Sequence, residues 1–500
     1  MRLLASCGRT AGVLLLPFLL SWPAQAGTRS SYAEAECPVV MRSSRDIACG
    51  TLTVPERWDR ETGKAFRLPI VTFHADRGIE KDPVLVFLGG PGESGPATSE
   101  QAYVDLRALL LKFFSDRRVI ILETRGAGGS EPHFGCPELE DPLLWAGAAE
   151  AISALDKARE LVWRKIEECA ASLVENGLSP DVINRHQVSG DAKALVDTLG
   201  LKSVVLFGVS YGTAFALTTL GDHPDIASAM ILDSVVPPEV SATRRMVEAM
   251  QAAFSRIFDM CDTDQRCKNV YPRFREDFTA LVEKLDTNPK IVELVPTGHD
   301  HKVFVRIDGV TLVHILKRVL SFNGVAFKLP GLVKSLGDDS DEVYKSIVDL
   351  WIATEEFDAT PVLLSGHCFD YSDDDPGKFL SSMEDVLPLL RSYIRFDAEH
   401  NVCARWPAGR APASARRPVV SSVPTLILQG GIDPLTSQRA AERVAKSLSR
   451  SHLFIFPRAG HSLVVQERCA PELARQFLAD PLQRPDPACL RTATPTVYFE

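Results

Sequence analysis

Six short segments of this chain are apolar almost without interruption, and they limit what it can fold into more than any other feature. They are "PVLVFL" (83–88), "RVIIL" (118–122), "SVVLF" (203–207), "SAMILD" (228–233), "PTLILQ" (424–429) and "HLFIF" (452–456). Each is short and rich in β-branched or aromatic residues, as strands are. A strand wet on one face alternates apolar and polar positions; these do not, so both of their faces are covered. Helical stretches such as Asp191 to Leu199 separate several of them. Strands alternating with helices build a mostly parallel sheet flanked by helices, so the expected class is α/β. Residues 49–75 alternate apolar and polar positions around "DRETGK", which predicts a β-hairpin.

The spacing breaks between about 240 and 415. Helical patterns take over, at Ala242 to Asp259, Pro272 to Leu285 and Asp341 to Thr354. This region falls between the fourth and fifth of the six strands, on the carboxyl side of the sheet, where open α/β sheets bind ligands. It is expected to be a helical cap over a site. The stretch "RWPAGRAPASARRP" (405–418) then returns the chain to the sheet. The expected organisation is a signal peptide at 1–26, a core at 27–240, a cap at 241–415 and the rest of the core at 416–500.

Export is expected from the N-terminus. Arg2 and Arg9 precede and flank an apolar run from Ala11 to Trp22, and Ala24-Gln25-Ala26 forms a small-residue cleavage site. No later segment reaches 18 uninterrupted apolar residues, so no membrane association is expected after cleavage. The formal net charge of −10 becomes −12 once Arg2 and Arg9 leave with the leader. That excludes a nucleic-acid surface, which needs a basic patch. Eleven cysteines less Cys7 leave ten, an even number that favours disulfides in an exported chain. Pairing chain neighbours gives 37–49, 136–169, 261–267, 368–403 and 469–489. No C-x-x-C or H-x-x-x-H spacing points to a metal. Asp262 and Asp264 begin like a calcium loop but lack its glycine and closing glutamate. The acidic clusters at 338–342 and 372–376 read as solvated loops and a helix N-terminus.

Where the third strand ends, the sequence runs Gly208-Val209-Ser210-Tyr211-Gly212 into a helical stretch. A G-x-S-x-G at a strand-to-helix turn holds a serine hydroxyl clear of the backbone, with glycines where side chains have no room. Such a serine needs a base and an acid that orients it, each just after a late strand. His461 in "LFIFPRAGHSL" and Asp433 in "LILQGGIDPLT" meet both requirements, with Asp233, at the end of "AMILD", as the rival acid. The oxyanion hole is expected from the N–H of Tyr211 and from the glycine loop "VFLGGPGESG" (86–95). There Gly90 is the second donor, because Pro91 has no N–H. The phosphate-binding alternative fails because neither G-x-G-x-x-G nor G-K-[ST] is present.

Taken together, "GGPG", "ETRGAGGS" (123–130), "GVSYGT", "GGIDP" and "AGHS" resemble the prolyl iminopeptidase and tripeptidyl aminopeptidase group of α/β-hydrolases. "CGTLTVP" (49–55) and the segment from Cys469 to Cys489 are similar to its secreted tripeptidyl-aminopeptidase branch. The resemblance implies an exopeptidase acting on peptides with a free N-terminus, without a cofactor, with Ser210, Asp433 and His461 as the triad. It further implies acids in the cap that hold the substrate ammonium, for which Asp370, Glu355 and Glu356 are the candidates. Leu88 and Glu123 depart from the group, whose members often carry His and Asp there. Two other readings are a carboxylesterase with the same triad and a hydrolase fold used only for binding. A complete triad argues against the second, and the expected location is secreted or periplasmic.

Overall fold

All six apolar segments are strands of one sheet. The computed structural model describes residues 30–38, 47–74, 81–92, 100–322, 324–354, 360–372 and 386–492; the leader at 1–26 lies outside them. In chain order the strands are β1 (Ser31–Ala35), β2 (Ile47–Pro55), β3 (Ala65–Phe73), β4 (Val84–Phe87), β5 (Val119–Leu122) and β6 (Val204–Val209). There follow β7 (Ala227–Asp233), β8 (Lys290–Leu294), β9 (Val303–Ile307), β10 (Thr425–Gly430) and β11 (Ser451–Phe456). Nine of them form a sheet in the order β1-β2-β3-β5-β4-β6-β7-β10-β11. From β5 to β11 the neighbours run parallel, while β1, β2, β3 and β5 pair antiparallel. The predicted hairpin is β2–β3, with Thr51 opposite Pro69.

Alternation explains why these strands read as continuous apolar runs. In β6, Val204 and Leu206 enter one buried cluster with the helices Arg185–Thr198 and Tyr211–Asp222. Val205 and Phe207 enter another, with the helices Glu100–Phe114 and Cys469–Ala479. Successive side chains point to opposite faces, and both faces are packed. The chain passes from β4 to β5 on one side and then to β6 on the other, so strand order reverses between β4 and β6. Such a switch point leaves a crevice at the carboxyl ends of the two strands.

Between β7 and β10 the chain builds its own apolar core from Ala242–Thr263, Phe274–Thr287, Gly309–Val319, Leu329–Gly337 and Asp341–Thr354. The helices expected there from the sequence begin or end within a few residues of these. The antiparallel pair β8–β9 was not expected. Its signal is present, because Val303, Val305 and Ile307 are buried and alternate with Phe304 and Arg306, which are half-buried. The helix Thr360–Tyr371 packs instead on the sheet's own cluster, through Val362, Leu364 and Cys368. In the acidic cluster at 338–342, Asp339 and Asp341 face Lys290.

Five disulfides join Cys37–Cys49, Cys136–Cys169, Cys261–Cys267, Cys368–Cys403 and Cys469–Cys489. These are the pairs of chain neighbours. Among the described residues no helix is long and apolar enough to cross a membrane.

Candidate active site

Ser210 stands between β6 and the helix Tyr211–Asp222 with φ 55° and ψ −124°, a conformation that L-residues seldom adopt. The neighbouring glycines are steric requirements. A Cβ on Gly208 would lie 2.4 Å from the carbonyl oxygen of Gly212, and one on Gly212 would lie 2.1 Å from that of Phe87. The turn is therefore pressed against the end of β4, at the switch point. Hydrogen bonds hold it there. The Ser210 N–H donates to the Asp233 carbonyl at 2.8 Å, and the Thr213 hydroxyl donates to the Ser210 carbonyl at 2.6 Å. Thr213 Oγ1 also accepts the Val236 N–H at 2.8 Å. The sequence reading did not assign Thr213 a role, although it is the last residue of "GVSYGT".

His461 and Asp433 meet. Asp433 follows β10, His461 follows β11, and Nδ1 of the histidine lies 2.8 Å from Oδ2 of the aspartate. Their loops can approach because glycines line the contact. A Cβ on Gly430 would be 1.9 Å from the Gly460 oxygen, and one on Gly460 would be 2.6 Å from that of Ser321. Asp433 also accepts the N–H groups of Leu435 and Thr436 and the Thr436 hydroxyl. Burial pushes its carboxyl up, but His461 and the Thr436 hydrogen bonds outweigh it and hold the group below the ordinary range. With Nδ1–H committed to Asp433, Nε2 is the histidine nitrogen able to take a proton. The Ser210 hydroxyl makes no hydrogen bond among the described residues, so the serine–histidine contact is open in this structure. In hydrolases that contact commonly tightens only with substrate in place.

Asp233, the rival acid, is fully buried and differently employed. Its carboxylate accepts the N–H groups of Leu463 at 3.1 Å and Val464 at 2.7 Å, and the Ser234 hydroxyl at 3.0 Å. Ser234 Oγ in turn accepts the Ser462 N–H. Burial raises the Asp233 carboxyl to about 6 against the pull of those donors. Asp233 thus fixes the turn that follows His461, while Asp433 touches the imidazole.

Of the two expected oxyanion donors, Tyr211 directly follows the serine as the first residue of its helix, and Gly90, at φ 98°, lies in the loop after the neighbouring strand β4. Neither N–H has an acceptor among the described residues. The Tyr211 side chain is anchored, its hydroxyl donating to Asp370 at 3.0 Å. A Cβ on Gly366 would meet Pro91 at 3.1 Å and the Tyr211 hydroxyl at 3.2 Å. The helix Thr360–Tyr371 therefore lies directly against the glycine loop and Tyr211.

Asp370 does not sit where a substrate ammonium can meet it, which corrects that expectation. It is completely buried, accepts the Arg185 N–H at 3.0 Å, and has Arg185 Nε 3.7 Å from its other oxygen. Its charge already has a partner, and its contacts support Tyr211. Glu355 and Glu356 lie outside the described residues. Of the two departures from the resembled group, Leu88 is half-buried at the end of β4, and Glu123 is buried with its carboxylate where a Cβ on Gly128 would fall. The motif around Glu123 also contains a buried ion pair that the sequence did not disclose. Arg125 grips Asp191 with two hydrogen bonds, 2.8 and 2.5 Å, and donates to the Glu56 carbonyl. Among the described residues no cluster of three or more metal-ligating side chains occurs.

A parallel sheet with a switch-point crevice, and serine, aspartate and histidine on three loops at its carboxyl edge, defines the class as an α/β-hydrolase. Residues 82–267 match the family model described as alpha/beta hydrolase fold, and residues 392–489 the one described as TAP-like protein. The chain is 25% identical over 462 residues to Serine protease Hip1 of Mycobacterium tuberculosis, covering 86% of this chain and 84% of that protein. It is 26% identical over 211 residues to Tripeptidyl aminopeptidase of Streptomyces coelicolor, covering 41% of this chain and 38% of that one. Among solved structures, an alpha/beta hydrolase from Novosphingobium aromaticivorans is 15% identical with a TM-score of 0.36, covering 87% of this chain and 99% of that chain. These matches support a TAP-like α/β-hydrolase group as the one the chain resembles.

Proposed function

We propose that this chain is an exported serine exopeptidase that removes single residues or short peptides from a free N-terminus through an acyl-enzyme. The coarser activity, a serine peptidase, accords with its TAP-like relatives. The observation that carries the chemistry is the 2.8 Å contact between His461 Nδ1 and Asp433, beside a serine held in a strained turn.

In this mechanism Ser210 Oγ attacks the scissile carbonyl carbon while His461 Nε2 takes its proton. Asp433 keeps the proton on Nδ1 and stabilises the imidazolium. The new oxyanion lies between the free N–H groups of Tyr211 and Gly90. Collapse breaks the C–N bond, and His461 returns the proton to the departing amine. A water molecule, deprotonated by His461, then attacks the acyl carbon and releases Ser210 and a carboxylic acid.

Residues 241–415 act as a cap, and Glu355 and Glu356 are the acids proposed to hold the substrate ammonium, since Asp370 is engaged elsewhere. Export is supported by the leader pattern and by the five disulfides. The test is a panel of free and N-blocked aminoacyl, dipeptidyl and tripeptidyl chromogenic amides, with short-chain esters alongside and Ser210→Ala as the blank. The reading expects free amides to be cleaved at least a hundredfold better than blocked ones. Equal turnover of both, with esters faster, would make the enzyme a carboxylesterase.

A further inference from the structure

We propose that Arg245 is a recognition site for a carboxylate on the substrate, so that this enzyme selects peptides carrying an acid near the scissile bond. The proposal rests on the peptidase reading of the Ser210 site.

Two guanidiniums stack on Tyr371, Arg185 at 5.1 Å and Arg245 at 5.3 Å from the ring centre. Their surroundings differ sharply. Arg185 has Asp370 for its charge and donates to the Pro238 and Ala415 carbonyls. Arg245 is 8% exposed, its Nε is enclosed without an acceptor, and it makes no side-chain hydrogen bond or ion pair among the described residues. Its neighbour Arg244 shows the ordinary alternative, an exposed side chain paired with Glu248 one turn on. A guanidinium taken out of water without a carboxylate is costly, and the charge is expected to be met by something that binds.

Position makes that ligand a substrate group. Tyr371, on which Arg245 rests, packs edge-on against Tyr211 with ring centres 5.6 Å apart, and Tyr211 directly follows the nucleophile. Asp433 acts on Arg245 electrostatically but is committed to His461. A cavity of about 90 Å³ is lined by Ala242 and Met246 from the helix that carries Arg245 and by His367 and Tyr371, with Arg245 itself outside its lining. Asp397, the carboxylate on that cavity, takes a hydrogen bond from the Thr243 hydroxyl and forms no pair with Arg245. Burial, aided by Arg245 and Lys317, holds His367 neutral, down to about 3. A planar guanidinium with free donors matches a carboxylate in two-point geometry.

The carboxylate has two sources, the C-terminus of a short peptide or an Asp or Glu side chain. The experiment measures kcat/KM for matched pairs: free-acid against C-terminally amidated tripeptides and tetrapeptides, and Glu against Gln at each position of tripeptidyl chromogenic amides. At least one pair should favour the acid tenfold or more in the parent enzyme. In Arg245→Met that ratio should fall to near one, with Arg245→Lys in between; the pair that responds identifies the source. No acid preference in any pair overturns the proposal without reference to a variant. A preference that survives Arg245→Met, in protein with parental melting behaviour, overturns it as well. Failure of the parent to cleave any amide would instead remove the peptidase reading itself.

Discussion

The Asp233 carboxylate accepts a 2.7 Å hydrogen bond from the backbone N–H of Val464, three residues beyond His461. Its own carbonyl receives the N–H of Ser210 at 2.8 Å. One residue at the end of β7 therefore ties the turn that carries Ser210, the proposed nucleophile, to the turn behind His461, the proposed base. Two aspartates serve one histidine in different ways. Asp433→Asn should lower kcat about 10³- to 10⁴-fold, since an amide cannot hold the required tautomer. Asp233→Asn should cost turnover no more than about tenfold, while losing about 1–3 kcal/mol of stability as a donor replaces one acceptor opposite Leu463 or Val464. Steady-state kinetics and urea melts of the two variants check this. Equal losses of kcat would show that the two acids share one role.

Asp233 should also leave a mark on stability against pH. Its folded carboxyl titrates at about 6, above its ordinary value of 3.8. Between those values the folded chain binds the proton and the unfolded chain releases it. The contribution is thus fully present below about pH 4 and is lost as pH rises through 6. The shift corresponds to about 3 kcal/mol. Urea midpoints of parent and Asp233→Asn at pH 4.5 and 7 give the readout, with the variant gaining relative to the parent at the higher pH. A gap that is independent of pH would show that Asp233 titrates normally.

What the sequence disclosed depended on whether the signal was local. The six buried strands were legible because a strand covered on both faces has no polar positions to confuse the pattern. The Ser210 turn, Asp433 and His461 were legible because each sits in a short glycine-marked loop directly after such a strand. The β8–β9 pair was missed because the surrounding helical periodicity dominated the reading. Asp370 was misjudged because its partners, Arg185 and Tyr211, are 185 and 159 residues away. No spacing rule reveals such a pairing, and an acid in a cap looks the same whether it faces substrate or an arginine. The Arg125–Asp191 pair, with members 66 residues apart, was hidden for the same reason.

That pair offers a test of the scaffold. Arg125 is wholly buried and Asp191 nearly so, and removing one partner strands a buried charge. Asp191→Asn should therefore destabilise by about 3–5 kcal/mol, whereas Arg125→Met with Asp191→Leu should recover much of the loss. Thermal melts of both proteins measure it. A double variant no better than the single one would point to the Glu56 contact and the loop geometry as the larger contribution.

The disulfides predict a thiol count of zero in denatured, unreduced mature protein. Cys136–Cys169 closes a loop with a separation of 33 residues, and both cysteines are buried. Replacing the pair by alanines should cost about 3–4 kcal/mol, measured by urea unfolding without reductant. Ten free thiols in the native protein would remove the bridges and with them a main support for export.

Substrate ammonium recognition separates the three acids proposed from the sequence. A carboxylate that meets an ammonium in a closed site loses its partner when the substrate is acylated, at a cost of several kcal/mol. Glu355→Gln or Glu356→Gln should then reduce kcat/KM for free-amine amides about a hundredfold, chiefly through KM, and leave N-blocked amides unaffected. Asp370→Asn should behave otherwise, because its contacts are Arg185 and the Tyr211 hydroxyl. It should lower kcat for free and blocked amides alike, as Tyr211, whose N–H is the proposed oxyanion donor, loses its anchor, and should also lower the melting temperature. The readout is the ratio of free to blocked kcat/KM in each variant. A ratio that collapses in Asp370→Asn, but holds in both glutamate variants, would return ammonium binding to Asp370. Arg185 would then have to release its carboxylate when substrate enters.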